Sequence, residues 1–130
     1  MKIYLAAGWF NPTQAEELTK LEEIFDNRAS FFDLASPRRI FVCPPDAPKS
    51  VQDETFSGNL HHIETADFLV VNTRDKDIGT IWEAGYAYAF KKPIVYFCAF
   101  VSIQSQCICV HFNYKWVKSH RKEEKIKDIK

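Results

Sequence analysis

The run F-L-V-V-N at Phe68–Asn72 is short, apolar and β-branched, and a brief turn separates it from D-I-G-T-I-W-E-A-G-Y-A at residues 77–87. A strand with no polar alternation has to be buried on both faces. That happens chiefly in a parallel sheet covered by helices on either side. Arg74-Asp75-Lys76 reads as the exposed turn, and residues 80–90 read as the helix that follows.

The same order recurs along the chain. Lys2–Ala7 (K-I-Y-L-A-A) predicts a first strand, followed by a turn over residues 8–12. Thr13 then opens a helix, with Glu16 at capping-box spacing and Pro12 just outside it. Leu18, Leu21, Ile24 and Phe25 share one face at 3.6 periodicity, so this helix is expected to cover the sheet. Residues 39–43 (R-I-F-V-C) predict the second strand, ended by Pro44-Pro45. Residues 46–58 are polar and lack a period, which predicts a loop over the site. Residues 59–65 predict a helix with Leu60 and Ile63 inward, residues 93–97 a fourth strand, and residues 108–112 hold a last one. Five strands alternating with helices predict an α/β three-layer sandwich with a five-stranded, mainly parallel sheet. A chain of 130 residues has room for one domain with one core. That domain is placed at 1–117, with a basic C-terminal tail at 118–130.

Composition narrows the partners. The apolar share of 46% and the eleven Phe argue for a well-buried globule. Seventeen basic and seventeen acidic side chains cancel, so no global positive field points to a nucleic acid polymer. From Lys115 onward basic residues outnumber acids, which reads as a solvated, partly helical or frayed end. Cys43, Cys98, Cys107 and Cys109 lack C-x-x-C spacing and a nearby His pair, so buried free thiols in a reducing compartment are expected and no metal is. No apolar run approaches the ~18 residues of a membrane span. With no signal-peptide pattern either, a cytoplasmic protein without membrane partners is expected.

Asp77 and Glu83 are the residues that carry chemistry. They straddle the loop-to-helix junction after a buried strand, where open α/β sheets bind ligands. Two carboxylates around one small cleft can divide the breaking of a glycosidic bond, one as nucleophile and one as acid or base. Glu83 has two possible roles. Thr80-Ile81-Trp82-Glu83 is a capping-box spacing, so the carboxylate can serve the helix start alone. A carboxylate in a first helical turn is also favoured as the anion by the helix dipole, the state that attack on an anomeric carbon requires. Asp77 is either a turn former or a holder of sugar hydroxyls and protons. Gly79 and Gly85 leave room for close approach of a ligand or the sheet. Trp9 and Phe10, in the first strand-to-helix loop, are either rim packing or a platform for a flat base. Asp67 precedes its strand and reads as structural, and His61 and His62 read as solvated. A dinucleotide fingerprint, a P-loop and a Ser or Cys nucleophile motif are missing, and no cofactor is expected.

Residues 2–10 (K-I-Y-L-A-A-G-W-F), D-x-G-T-x-W-E-x-G-Y-A at 77–87 and K-K-P-I-V at 91–95 together resemble the nucleoside 2-deoxyribosyltransferases, over roughly residues 2–97. The resemblance implies a flavodoxin-like (Rossmann-like) fold and a retaining reaction between a 2′-deoxynucleoside and a free purine or pyrimidine base. It also implies a homo-oligomer, dimer-based, whose sites neighbouring subunits complete. By position, Glu83 would be the nucleophile that forms a deoxyribosyl ester, Tyr4 would set its hydroxyl against that carboxylate, and Asp77 would bind the sugar. Gly8, Trp9 and Phe10 would line the base pocket, with Asp46, Asn59 and Gly79 also binding substrate. Asn59 stands where many members carry an Asp for the leaving base, and it cannot supply an acidic proton. Ala47 and Pro48 replace the polar side chains expected against the base. Residues 102–109 occupy, without matching it well, the place of the segment that completes a neighbour's sugar site. Two alternatives stay open: a 2′-deoxynucleoside 5′-monophosphate N-glycosidase, which hydrolyses instead of transferring, and a non-catalytic nucleotide-binding module.

Overall fold

The computed structural model describes residues 1–41 and 43–97. Its sheet begins with β1 (Lys2–Ala7), buried at every residue but the first. Alternation sends its side chains to two different cores. Ile3, Leu5 and Ala7 pack with Leu18 and Leu21 of helix α1 (Pro12–Asp26) and with Val70. Tyr4 and Ala6 pack on the other side with Ile63, Leu69, Val71, Ala84, Ala87 and Ile94. β3 (Phe68–Asn72) repeats the division, and so does β4 (Ile94–Phe97), with Ile94 and Tyr96 on one side and Val95 and Phe97 on the other. Each fully buried aliphatic side chain contributes about 1.5–3 kcal/mol. Two such cores, one on each side of the sheet, account for the uninterrupted apolar runs.

The strand order is β2-β1-β3-β4, with β2 the three-residue edge Asp33–Ala35. All three pairings are parallel, so each strand is reached by a crossover. Helix α1 lies on one face; α3 (Lys49–Thr65) and α4 (Ile78–Ala89) lie on the other. The expected three-layer α/β sandwich is present with four strands among the described residues; the fifth expected strand at 108–112, the segment 102–109 and the tail from 118 lie outside them. The chain leaves β1 toward β2 but reaches β3 on β1's opposite flank. The carboxyl ends of β1 and β3 therefore form the switch point where such sheets bind ligands.

Several local expectations fail for identifiable reasons. Asn11, not Thr13, caps α1: its side chain accepts the Gln14 N–H at 2.9 Å, and Pro12 takes the first helical position. Ile24 is exposed, because Gln14 and Glu22 take up buried places on the helix beside Leu18 and Leu21. The second strand is not at residues 39–43 but at Asp33–Ala35; Arg39 and Ile40 belong to the short helix α2 (Pro37–Ile40), and Val42 lies outside the described residues. Glu22 is the cause. Its carboxylate is fully buried and accepts from Ser36 Oγ at 2.5 Å, Arg38 Nε at 3.1 Å and Arg39 Nε at 3.0 Å, which winds this segment onto α1. Cys43 is exposed, contrary to the buried thiol expected, and the other three cysteines lie outside the described residues. The loop expected at 46–58 is mostly the first half of α3. The sequence hides it because the segment is largely solvent-facing, with Ile63 the buried anchor further along the same helix. Leu60, one turn earlier, is only half-buried.

Candidate active site

The loop after β3 is held in an uncommon shape. Asp75 and Lys76 both have left-handed backbones, with φ of 58° and 53°, in residues that carry a Cβ. Conformations of this kind persist where the surroundings fix them. Here Asn11 Nδ2 donates to Asp75 Oδ2 at 2.9 Å, and Arg74 Nε donates to Glu17 Oε1 at 2.9 Å, with a second guanidinium nitrogen on the same oxygen. Asn72, buried at the end of β3, donates to Glu17 Oε2 at 3.0 Å and accepts the Arg74 N–H at 3.1 Å. Burial pushes the Glu17 carboxyl up, but the hydrogen bonds from Arg74 and Asn72 outweigh it and hold the group below its ordinary value. Arg74 is thus half-buried, while Asp75 and Lys76 are exposed as expected of a turn.

This loop delivers Asp77 to the start of α4, where its carboxylate accepts the Thr80 N–H at 2.8 Å. Asp77 is therefore the cap, and Glu83 is not. Helix α4 begins at Ile78, so Glu83 lies in the second turn, where the capping-box role and the first-turn dipole both lapse. Its carboxylate instead turns inward to Tyr4, whose hydroxyl donates to Oε1 at 2.6 Å. Tyr4 is fully buried in the centre of β1. Burial pushes the Glu83 carboxyl up to about 7, with the Tyr4 hydrogen bond opposing and the Asp77 charge adding to the rise. The carboxyl is therefore poised near neutrality rather than held firmly ionised. Burial, then the neighbouring Glu83, push the Tyr4 phenol far above its ordinary value, so it stays a donor at any working pH.

Tyr4 and Glu83 meet on the α3/α4 side of the sheet, with Asp77 near enough for its charge to act on Glu83. Asn59 lies one helical turn before Ile63, which packs beside Tyr4 and Ala84. Its Oδ1 is buried and lacks a hydrogen-bond partner among the described residues. Gly8 is buried at the end of β1; Trp9 and Phe10 beyond it are exposed and stack on each other, with ring centroids 5.2 Å apart at 24°. Gly79 and Gly85 are both exposed, and a Cβ at Gly85 would meet open space, so that glycine does not serve approach of the sheet. Asp46 is exposed in the turn ahead of α3 and makes no hydrogen bond to Tyr4 or Glu83 among the described residues. Asp67 is at the opposite end of the sheet, accepting the Lys2 N–H at 2.7 Å. His61 is exposed, and His62 is half-buried edge-on to Phe41. Among the described residues no cluster of His, Cys, Asp or Glu could hold a metal ion. Sequence reading missed Gln14, Glu17, Asn72 and Arg74, which shape the two loops. The usable signal was a polar Gln14 on the apolar face shared by Leu18 and Leu21.

Residues 3–114 match the family model described as nucleoside 2-deoxyribosyltransferase. The chain belongs to the nucleoside 2-deoxyribosyltransferase family. Members of this family bind nucleosides and bases. Among solved structures, the chain is similar to a 2-deoxyribosyltransferase from Bacillus psychrosaccharolyticus, with 25% identity and a TM-score of 0.77 over 92% of this chain and 87% of that one. A 2-desoxiribosyltransferase from Leishmania mexicana (21% identity, TM-score 0.57, 76% of this chain and 65% of that one) shares the fold. A CMP N-glycosidase from Clostridium botulinum shares it too, with 15% identity and a TM-score of 0.63 over 93% and 91% of the two chains. No curated protein sequence matches this chain. No helix among the described residues of this family member is long and apolar enough to cross a membrane.

Proposed function

We propose that this deoxyribosyltransferase-family chain exchanges the base of a 2′-deoxynucleoside through a covalent intermediate on Glu83. The observation that carries the proposal is the Tyr4 hydroxyl bound to Glu83 Oε1 at 2.6 Å beside Asp77. A carboxylate oxygen of Glu83 attacks C1′, the C1′–N bond breaks, and its electron pair leaves on the base, which takes up a proton. A ring nitrogen of the second base then attacks C1′ from the same side, and the ester C–O bond returns its electrons to Glu83. Two inversions give net retention. Without a 2′-hydroxyl, the oxocarbenium-like transition state is easier to reach, which suits so small a set of catalytic groups.

Tyr4 donates to one oxygen and leaves the other free to attack. Asp77 and the exposed Gly79 backbone bind the sugar side. Gly8, Trp9 and Phe10 form the base wall. Asn59 Oδ1 fits an acceptor for a base N–H, because an unpaired buried carbonyl otherwise costs about 1–3 kcal/mol. Asp46 is retained only as a contact on the rim. Asn59 brings no acidic proton, so the proton that the leaving base takes up comes from water. A nucleoside is favoured over its 5′-monophosphate at the first loop. The Phe10 N–H is taken by Gln14 Oε1 and the Gln14 N–H by Asn11 Oδ1, so the start of α1 has few free donors for phosphate.

Incubating thymidine with adenine and resolving the products by HPLC tests the reading. Thymine and deoxyadenosine are expected from the wild type, and Glu83→Ala is expected to abolish both while keeping its circular dichroism. Exchange at wild-type rate by that variant sinks the proposal. Deoxyribose released without deoxyadenosine indicates hydrolysis instead, and binding without product indicates a non-catalytic module.

A further inference from the structure

We propose that Gln14 is a positioning residue of this site, a double-ended tie that sets the Trp9–Phe10 loop against the loop carrying Asp77. The inference rests on the base-exchange reading, since it assigns those loops to the two halves of the substrate. Gln14 is 4% exposed, so its amide is withdrawn from water, and both ends are engaged. Oε1 accepts the Phe10 N–H at 3.0 Å, and Nε2 donates to the Arg74 carbonyl at 3.3 Å. Gly8 closes the cradle: a Cβ there would stand 3.1 Å from each of the two amide heteroatoms.

An apolar side chain would serve packing at this position at least as well, because Leu18 on the same helix face packs into the core. A buried amide is worse for packing and is retained where its hydrogen bonds define a geometry. What it defines is the separation of two backbone segments. Phe10, at one end, stacks its ring on Trp9. Arg74, at the other, is clamped by Glu17, and Asp77 follows it across the left-handed Asp75 and Lys76. Backbone of that kind transmits a displacement of Arg74 to Asp77, since few other conformations are open to it. A shift of an ångström in either loop misplaces a substrate half relative to Glu83.

Two variants separate the ends. Gln14→Met keeps the length and removes both hydrogen bonds. Gln14→Glu keeps the acceptor for Phe10 and loses the donor to Arg74. Steady-state exchange of thymidine with adenine, and amide hydrogen exchange by mass spectrometry, are measured on the full chain. For Gln14→Met the KM for adenine is expected to rise and kcat to fall, each about tenfold, with faster amide exchange at both loops. For Gln14→Glu, kcat alone is expected to fall, with faster amide exchange confined to the Arg74 loop. Unchanged KM, kcat and amide exchange in a cooperatively melting Gln14→Met overturn the proposal, as does an identical response of the two variants. Should Gln14→Met fail to fold, Gly8→Ala, which presses on the amide without removing it, is expected to give the same loss at both loops. A wild type that exchanges no base refutes the functional reading; the amide-exchange pattern then decides the tie alone.

Discussion

Glu83 shows how one side chain acquires its chemistry from its surroundings. A glutamate at a helix surface ionises well below neutrality, but burial and the Asp77 charge push this carboxyl up to about 7, against the pull of the Tyr4 hydroxyl. In the proposed base exchange the attacking form of Glu83 is the anion. The kcat/KM for base exchange is therefore expected to rise with pH through about 7 and then level off. Removing the Tyr4 donor takes away the one contribution that lowers the value. Tyr4→Phe should then move the midpoint of the same profile upward, and an unmoved midpoint would separate Tyr4 from Glu83 in function. The titratable groups facing the carboxyl are Tyr4 from β1 and Asp77 from the loop before α4. The two carboxylates were legible at 77 and 83, but the phenol only through family likeness, because nothing in the spacing of residues 4 and 83 says that they touch.

At the scale of elements, α3 depends on a close approach that the sequence conceals. A Cβ at Gly58 would overlap the ring of Phe41, which directly follows α2 and also packs edge-on to His62 of α3. Helix propensity favours Gly58→Ala by about 1 kcal/mol. Overlap in a packed contact costs about 1–3 kcal/mol, so the balance points to a net loss. Chemical denaturation of Gly58→Ala should show a lowered midpoint, and a raised one would mean that the ring moves aside freely. Helix α1 and strand β3 were legible because each carries a clean apolar period. The segment 46–58 was not, since a helix packed along little of its length leaves almost no hydrophobic stripe. The edge strand was misplaced because buried Glu22 captures Arg38 and Arg39, an interaction between residues more than a dozen positions apart.

Across the whole molecule, the outer side of α4 is conspicuously uncharged. Ile78, Ile81, Trp82 and Tyr88 are exposed, and Glu83, the only Asp, Glu, Lys or Arg in this helix, points inward. Apolar surface of that kind on a folded chain marks an interaction face. A homo-oligomer built on this face is expected, and light scattering of the full chain checks it: Ile81→Glu should shift the wild-type mass toward the monomer. The alternation of buried strands and helices, written in local apolar periods, was enough for the sequence to determine a parallel α/β sandwich and a carboxylate pair at the carboxyl end of β3. Only the tertiary structure decided that Asp77 is the cap and Glu83 the partner of Tyr4. It also decided that Gln14 links the two loops. Those roles depend on distances between residues far apart in the chain, and burial, not local spacing, sets which of them carry charge.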